Sequence, residues 1–230
     1  MTLGVLGGLG PMSSVYFYEL LTSLTAATCD QEHLDVLISS RATTPDRTDF
    51  ILGRSTLDPA PVMIEEARRL ERAGADLIAI PCNTAHFFYH QVRESVGIPI
   101  LDIIEETCRC VAESGARSLG LLATEGTVSA GSYRVACEKM GLLYLAPLPG
   151  EQELISNLIY KQIKRGEKAS PDDVLRVADA LCARGAERVV LGCTELSLLT
   201  RQYSFDARFV DSLHALARTA ILRCGKQLTR

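Results

Sequence analysis

Residues 73–84 read AGADLIAIPCNT and residues 184–195 read RGAERVVLGCTE. Aligned, Gly74 faces Gly185, Ala75 faces Ala186, Asp76 faces Glu187, and after an apolar run Cys82 faces Cys193, 111 residues further on. A thiolate is a base and a nucleophile, whereas a thiol is an acid. With an ordinary cysteine pKa of about 8.5, the surroundings decide which form is present. Two cysteines flanking a planar carbanion can take a proton from one face and return one to the other, which inverts a stereocentre. One must then be thiolate while the other is thiol, with the roles exchanging with direction. A disulfide or a shared metal would instead bring the sulfurs together and leave no space for a substrate. The competing reading is a pair of buried structural thiols, a common fate for cysteine.

Short apolar runs must position these groups. Candidate strands lie at 3–6, 36–39, 77–80, 98–101, 118–122, 142–146, 188–191 and 208–210. Several are apolar throughout, as strands buried on both faces should be. Amphipathic stretches at 60–73, 103–114, 151–165 and 171–184 alternate with them. Gly74, Gly115, Gly141 and Gly185 stand where helices should stop. Ser170-Pro171-Asp172-Asp173 reads as a helix start with Ser170 as N-cap. Such alternation implies parallel sheets flanked by helices. A second internal match pairs LGVLG (3–7) with LGLLA (119–123), so the chain reads as two similar α/β halves. Ligands of open α/β sheets bind beyond the carboxyl ends of the strands. Two such ends facing each other enclose one site, with Cys82 and Cys193 on its opposite sides.

Composition narrows the class. The 230 residues are 47% hydrophobic and 23% charged, with a net charge of −4, which argues against a nucleic-acid binder because such proteins need a basic face. No apolar run suggests a membrane span, and the first basic residue is Arg41, so no basic leader is read; the expectation is a cytoplasmic protein with reduced cysteines. None of the eight cysteines forms a C-x-x-C pair, so no metal is expected. Gly7-Gly8-Leu9-Gly10 fails the dinucleotide pattern, since Ser13 stands where its last glycine belongs, and reads as a tight turn lining a small-molecule site.

GGLGP (7–11), TPDRT (44–48), PCNTAH (81–86), EET (105–107), LLAT (121–124) with Gly126-Thr127, and GCTE (192–195) run in order over nearly the whole chain. In this set the sequence resembles the cofactor-independent aspartate/glutamate racemase family, and Pro-Asp-Arg-Thr points towards its aspartate branch. The resemblance implies that Cys82 and Cys193 are the catalytic acid/base pair, with no cofactor and an acidic amino acid as the small-molecule partner. It implies two domains related by a pseudo-twofold axis with the site between them. The expected division is 1–98 plus 209–230 for the first domain and 99–208 for the second, with a C-terminal helix at about 212–225 returning to the first. A homodimer is the expected assembly.

Further residues are expected at the substrate. Backbone N–H groups at Asn83, Thr84 and Thr194 open helices that can hold a carboxylate and lower a thiolate pKa. Thr124 and Thr127 add donors from the second half, and Met12 and Ser13 follow the first glycine turn, where backbone can approach the ligand. Arg47 is the expected side-chain carboxylate contact, since a guanidinium can grip a carboxylate through two N–H groups; its plain alternative is a surface pair with Asp46 or Asp49. Lys164 is the second cation, or else a solvated helix-end lysine. Glu195 either holds the substrate ammonium, tunes Cys193 or stabilises its helix, and His86 either orients a neighbour, tunes Cys82 or is simply packed. The lead SRATT (40–44) departs from the Asn-containing lead of archaeal aspartate racemases, and its Arg41 adds a possible carboxylate contact, which leaves open aspartate, glutamate or a broad-specificity amino-acid racemase. Other reactions of the superfamily, namely hydantoin racemisation, maleate isomerisation and arylmalonate decarboxylation, are the enzyme alternatives. A non-catalytic acidic-amino-acid sensor is the alternative from another class, though binding alone needs no pair of thiols.

Overall fold

The computed structural model describes residues 1–229. All eight expected strands form: β1 (Thr2–Gly7), β2 (Asp35–Ser40), β3 (Leu77–Ala79), β4 (Ile100–Leu101), β5 (Ser118–Leu122), β6 (Leu143–Leu145), β7 (Arg188–Leu191) and β8 (Phe209–Asp211). They make two four-stranded sheets of the same order, β2-β1-β3-β4 and β6-β5-β7-β8, with every pairing parallel. The duplicate read from the sequence is therefore a duplicate in topology, with β3 matching β7. Sheet membership departs slightly from the expected boundaries. β4 joins the first sheet although a division at 98/99 would place it in the second half, and β8 joins the second sheet although 209 was assigned to the first.

Helices cover the sheets: α1 (Pro11–Leu24), α2 (Arg47–Ile51), α3 (Ala60–Arg72), α4 (Tyr89–Arg93), α5 (Ile103–Glu113), α6 (Glu125–Ala130), α7 (Ser132–Lys139), α8 (Pro149–Asn157), α9 (Asp172–Ala183), α10 (Thr194–Ser197) and α11 (Ser212–Arg223). The four expected glycine stops all adopt positive φ. Asp102 and Asp211 cap equivalent helices, each accepting two backbone N–H groups. The helix at 172 starts one residue later than expected: Pro171 takes the cap position, and Ser170 Oγ accepts only a 3.3 Å contact from the Asp172 N–H. The stretch at 151–165 is not one helix. After α8 it widens into a π turn over Leu158–Gln162, then tightens into a 3-10 turn at Ile163–Arg165 that ends on left-handed Gly166.

Three apolar cores result. One lies under α3 on the outer face of the first sheet, and one under α8 and α9 on that of the second. The largest runs through the middle, where α1, α5, α7 and α11 fill the space between the sheets. There α11 packs on both α1 and α5, and the chain end returns to α1 through the Ala26 N–H on the Gln227 carbonyl. No helix among the described residues is long and apolar enough to cross a membrane.

Candidate active site

Cys82 follows β3 and Cys193 follows β7, both are buried, and both line one small cavity, about 10 Å³, between the halves. In the turn that follows each cysteine a backbone N–H favours the thiolate, that of Ala85 for Cys82 and that of Glu195 for Cys193. The sequence reading expected such turns to lower the thiol pKa values. Burial instead prevails, and both thiols are pushed up.

The two sulfurs differ in their neighbours. Against the effect of burial, the Arg47 guanidinium draws Cys82 down. Cys193 has the Glu195 carboxylate beside it, which adds to burial and drives it well above the usual range. The Cys193 thiol donates to Glu195 Oε2 at 3.0 Å. Of the possibilities for Glu195, tuning Cys193 is thus the one the contacts support. Gly10 makes room for it, because a Cβ there would lie 2.7 Å from Glu195 Oε1. Lys164 Nζ stands 3.9 Å from the same carboxylate and over the Tyr160 ring at 4.9 Å. Burial alone would lower the lysine, but Glu195 and the two thiols outweigh it and leave it raised.

Arg47 is buried rather than paired on the surface. Its Nη1 donates to the Thr44 and Pro45 carbonyls and its Nη2 to the Leu9 carbonyl at 2.9 Å, while its Nε is buried with no protein acceptor. A buried charged donor without a partner is costly, which marks this one as a feature to be explained. Arg41 does not join it: its guanidinium turns away to the buried Glu66 at 3.1 Å. Arg41 lines a separate surface pocket with Glu66 and Arg69, apart from the cavity of the two thiols.

Thr84, Thr124 and Thr127 meet in a triangle of hydroxyls with sides of 2.8–2.9 Å across the junction of the halves. Thr84 and Thr124 line the cavity; Thr127 completes the triangle behind them. Thr194 is buried at the cavity wall. Asn83 reaches the cavity, but its side-chain amide is committed elsewhere: Tyr133 Oη donates to Oδ1 and Nδ2 donates to Ser212 Oγ. These two bonds fix the orientation of the amide and leave one Nδ2–H and the backbone to meet a ligand. Met12 lies outside the inner cavity, half-exposed, on a neighbouring chamber of about 540 Å³ that shares Asp46, Arg47, Lys164 and Glu195 with it. Ser13 is buried with its hydroxyl unpartnered and lines neither space.

Sequence reasoning missed Leu9, Thr48 and Tyr160, all of which line the cavity. Tyr160 Oη donates to Thr48 Oγ1 at 2.7 Å, fastening the second half to α2 of the first. The available signal was the spacing of Tyr160 and Lys164, four residues apart on one face of a helix.

These groups can do proton transfer. The cavity holds two thiols of unequal acidity, two cations and a set of hydroxyl and amide donors, which suits a carboxylate-bearing ligand with an acidic C–H between the sulfurs.

The sequence matches the Asp/Glu/hydantoin racemase family over residues 6–220. It is 25% identical to the broad-specificity amino-acid racemase RacX of Bacillus subtilis over 224 residues, covering 95% of this chain and 96% of that one. It is 28% identical to the glutamate racemase of Persephonella marina over 140 residues, 59% of this chain and 52% of that one. The fold matches the Picrophilus torridus aspartate racemase with a TM-score of 0.87 at 27% identity, covering 99% of this chain and 96% of that one. The chain belongs to the Asp/Glu/hydantoin racemase family.

Proposed function

We propose that this chain interconverts L- and D-aspartate by two-base proton transfer at Cα, without a cofactor. The observation that carries this is the cavity itself: the two thiols of the internal repeat face one space, beside a buried Arg47 Nε that lacks an acceptor. The side-chain carboxylate takes Arg47, with Lys164 as the second cation. The α-carboxylate takes the backbone N–H groups near Asn83, Thr84 and Thr194. Cα–H is a weak acid and there is no electron sink, so the charge developing on that carboxylate must be stabilised by donors already in place. Of the pair, Cys82, beside Arg47, is the one that gives up its proton to act as base, and Cys193, donating to Glu195, is the thiol that acts as acid. Cys82 removes the proton from one face and Cys193 delivers one to the other. In the reverse reaction the roles exchange.

A second reading is a wider side-chain range, with glutamate first. It is favoured by the larger chamber next to the thiols, lined in part by Pro11, Met12, Ile163 and Leu198, and by similarity to a broad-specificity racemase. The test is incubation of the reduced protein in D₂O with L-aspartate and, in parallel, L-glutamate and longer amino acids, followed by NMR of the α-proton and chiral analysis. Deuterium at Cα together with D-aspartate supports the proposal. Turnover of other amino acids in preference to aspartate supports the wider range. Saturable binding of aspartate without exchange would instead indicate a sensor.

A further inference from the structure

His86 lies outside the cavity lining, yet both its ring nitrogens are engaged. Nδ1 stands 2.8 Å from the Cys82 carbonyl. Nε2 stands 3.2 Å from the Ile103 N–H, which can only donate to it, and 3.5 Å from the Leu101 carbonyl. These contacts select one tautomer. With the proton on Nδ1, the short contact to Cys82 is a hydrogen bond and the Ile103 N–H has an acceptor. With the proton on Nε2, two lone pairs would face each other at 2.8 Å and a buried N–H would be orphaned. The ring is buried and stacks on Tyr89 at 5.7 Å between centroids, with an interplanar angle of 12°.

The carbonyl it holds belongs to the residue whose sulfur does the chemistry. The Cys82–His86 segment is a tight turn, closed by the His86 N–H on the Asn83 carbonyl. Holding the carbonyl at one end of this turn with the imidazole at the other fixes the backbone from which the Cys82 sulfur projects. In the second half the equivalent place belongs to Ser197, whose hydroxyl donates to Asp211 instead, and the Cys193 carbonyl accepts only backbone N–H groups, that of Leu196 at 2.9 Å foremost.

We propose that His86, as the Nδ1–H tautomer, is a positioning residue for Cys82 alone, tying its carbonyl to the β4–α5 junction so that the thiolate keeps its aim at Cα. The inference rests on the two-base reading above. It makes the two half-reactions unequal in their dependence on one side chain that touches no substrate.

The test compares three substitutions. An asparagine amide nitrogen occupies the place of Nδ1 and can still donate to the Cys82 carbonyl. A glutamine reaches the place of Nε2 and can accept from Ile103 but leaves Cys82 free. His86→Asn is expected to stay within about threefold of the wild-type kcat, whereas His86→Gln and His86→Ala lose roughly 10- to 100-fold, the scale of a small misplacement of a reacting group. KM should change little. With α-deuterated enantiomers, the damaged variants should show a larger primary isotope effect for the enantiomer deprotonated by Cys82 and a smaller one for its mirror image. Tyr89→Leu, which removes the stacking and leaves both hydrogen bonds, should lower the melting temperature without this asymmetry.

Equal losses for the asparagine and glutamine variants, or isotope effects that move together for both enantiomers, would overturn the proposal and leave His86 a packing residue. Long-range ¹H–¹⁵N NMR of the imidazole gives a readout that needs neither turnover nor a folded variant: a proton on Nε2 of His86 refutes the assignment. Wild-type protein that exchanges no α-proton would refute the racemase reading instead, and the two failures are thus distinguishable.

Discussion

Replacing Gly126 by alanine tests whether the contact between the halves sets the cavity. Gly126 sits in α6 directly against α2, the short helix that begins at Arg47. A Cβ at 126 would stand 2.8 Å from Thr48 Oγ1 and 2.9 Å from Thr48 Cα. Carbon atoms rest at about 3.5–4.0 Å from one another, so the helices must part by roughly 0.6–1 Å. The backbone atom cannot swing away as a side-chain tip would, and Thr48 is tied on its other side to Tyr160. Overpacking of this kind costs about 1–3 kcal/mol, which for a chain of this size is a fall of about 2–12 °C in melting temperature. The same displacement carries Arg47 away from the Leu9 carbonyl and from the ligand position. A misplacement approaching 1 Å costs up to about 100-fold in rate, so a 10- to 100-fold loss of kcat/KM is expected, with KM rising because Arg47 is assigned to binding. Differential scanning fluorimetry and a chiral assay on the same preparation measure both effects. Gly150→Ala is the control. It lies in α8 with nothing within 4 Å of the added carbon and should be neutral or stabilising by up to about 1 kcal/mol. A Gly126→Ala protein with unchanged melting temperature and kcat/KM would refute the claim that this close approach positions Arg47.

Because both thiols are pushed up, mostly by burial, the thiolate is scarce at neutral pH and kcat/KM should climb about tenfold per unit as pH rises from 6 to 8. A flat profile over that range would count against it. Glu195→Gln removes the negative charge that raises Cys193, so the alkaline limb, where the Cys193 thiol is lost, should move to lower pH. Tyr133→Phe leaves the buried Asn83 Oδ1 without a donor and should cost about 1–3 kcal/mol in chemical denaturation, while ligand affinity measured by calorimetry changes less than threefold. Tyr160→Phe removes the bond to Thr48 and should lower kcat/KM about three- to tenfold at nearly constant melting temperature.

The sequence showed the frame because the frame rests on local rules. Apolar runs bounded by glycines at 74, 115, 141 and 185 marked helix–strand units, and repetition of one unit around Cys82 and Cys193 placed both thiols at equivalent strand ends. The features it hid are of two kinds. Some depend on a break in periodicity: the π turn at 158–162 shifts the phase of a stretch that reads as one amphipathic helix, and Tyr160 reaches the cavity from there. Others depend on partners distant in the chain. Nothing near Asn83 says that its amide is taken by Tyr133 and Ser212, and nothing near Arg41 says that Glu66 holds it. The thiol pKa values went the same way, since a helix start is visible in sequence whereas the depth of burial that outweighs it is not.

The central core has a consequence for how this chain becomes a protein. α11, late in the sequence, is wedged between α1 and α5, which precede it by far. Without α11 one apolar flank of α1 loses its cover, so the amino-terminal sheet is expected to settle only once α11 is in place. Closing a contact between the two ends of a chain is slow relative to local pairing. Heat or urea should accordingly melt the molecule in one step despite its twofold architecture, and shortening it by its last helix should abolish folding of both halves.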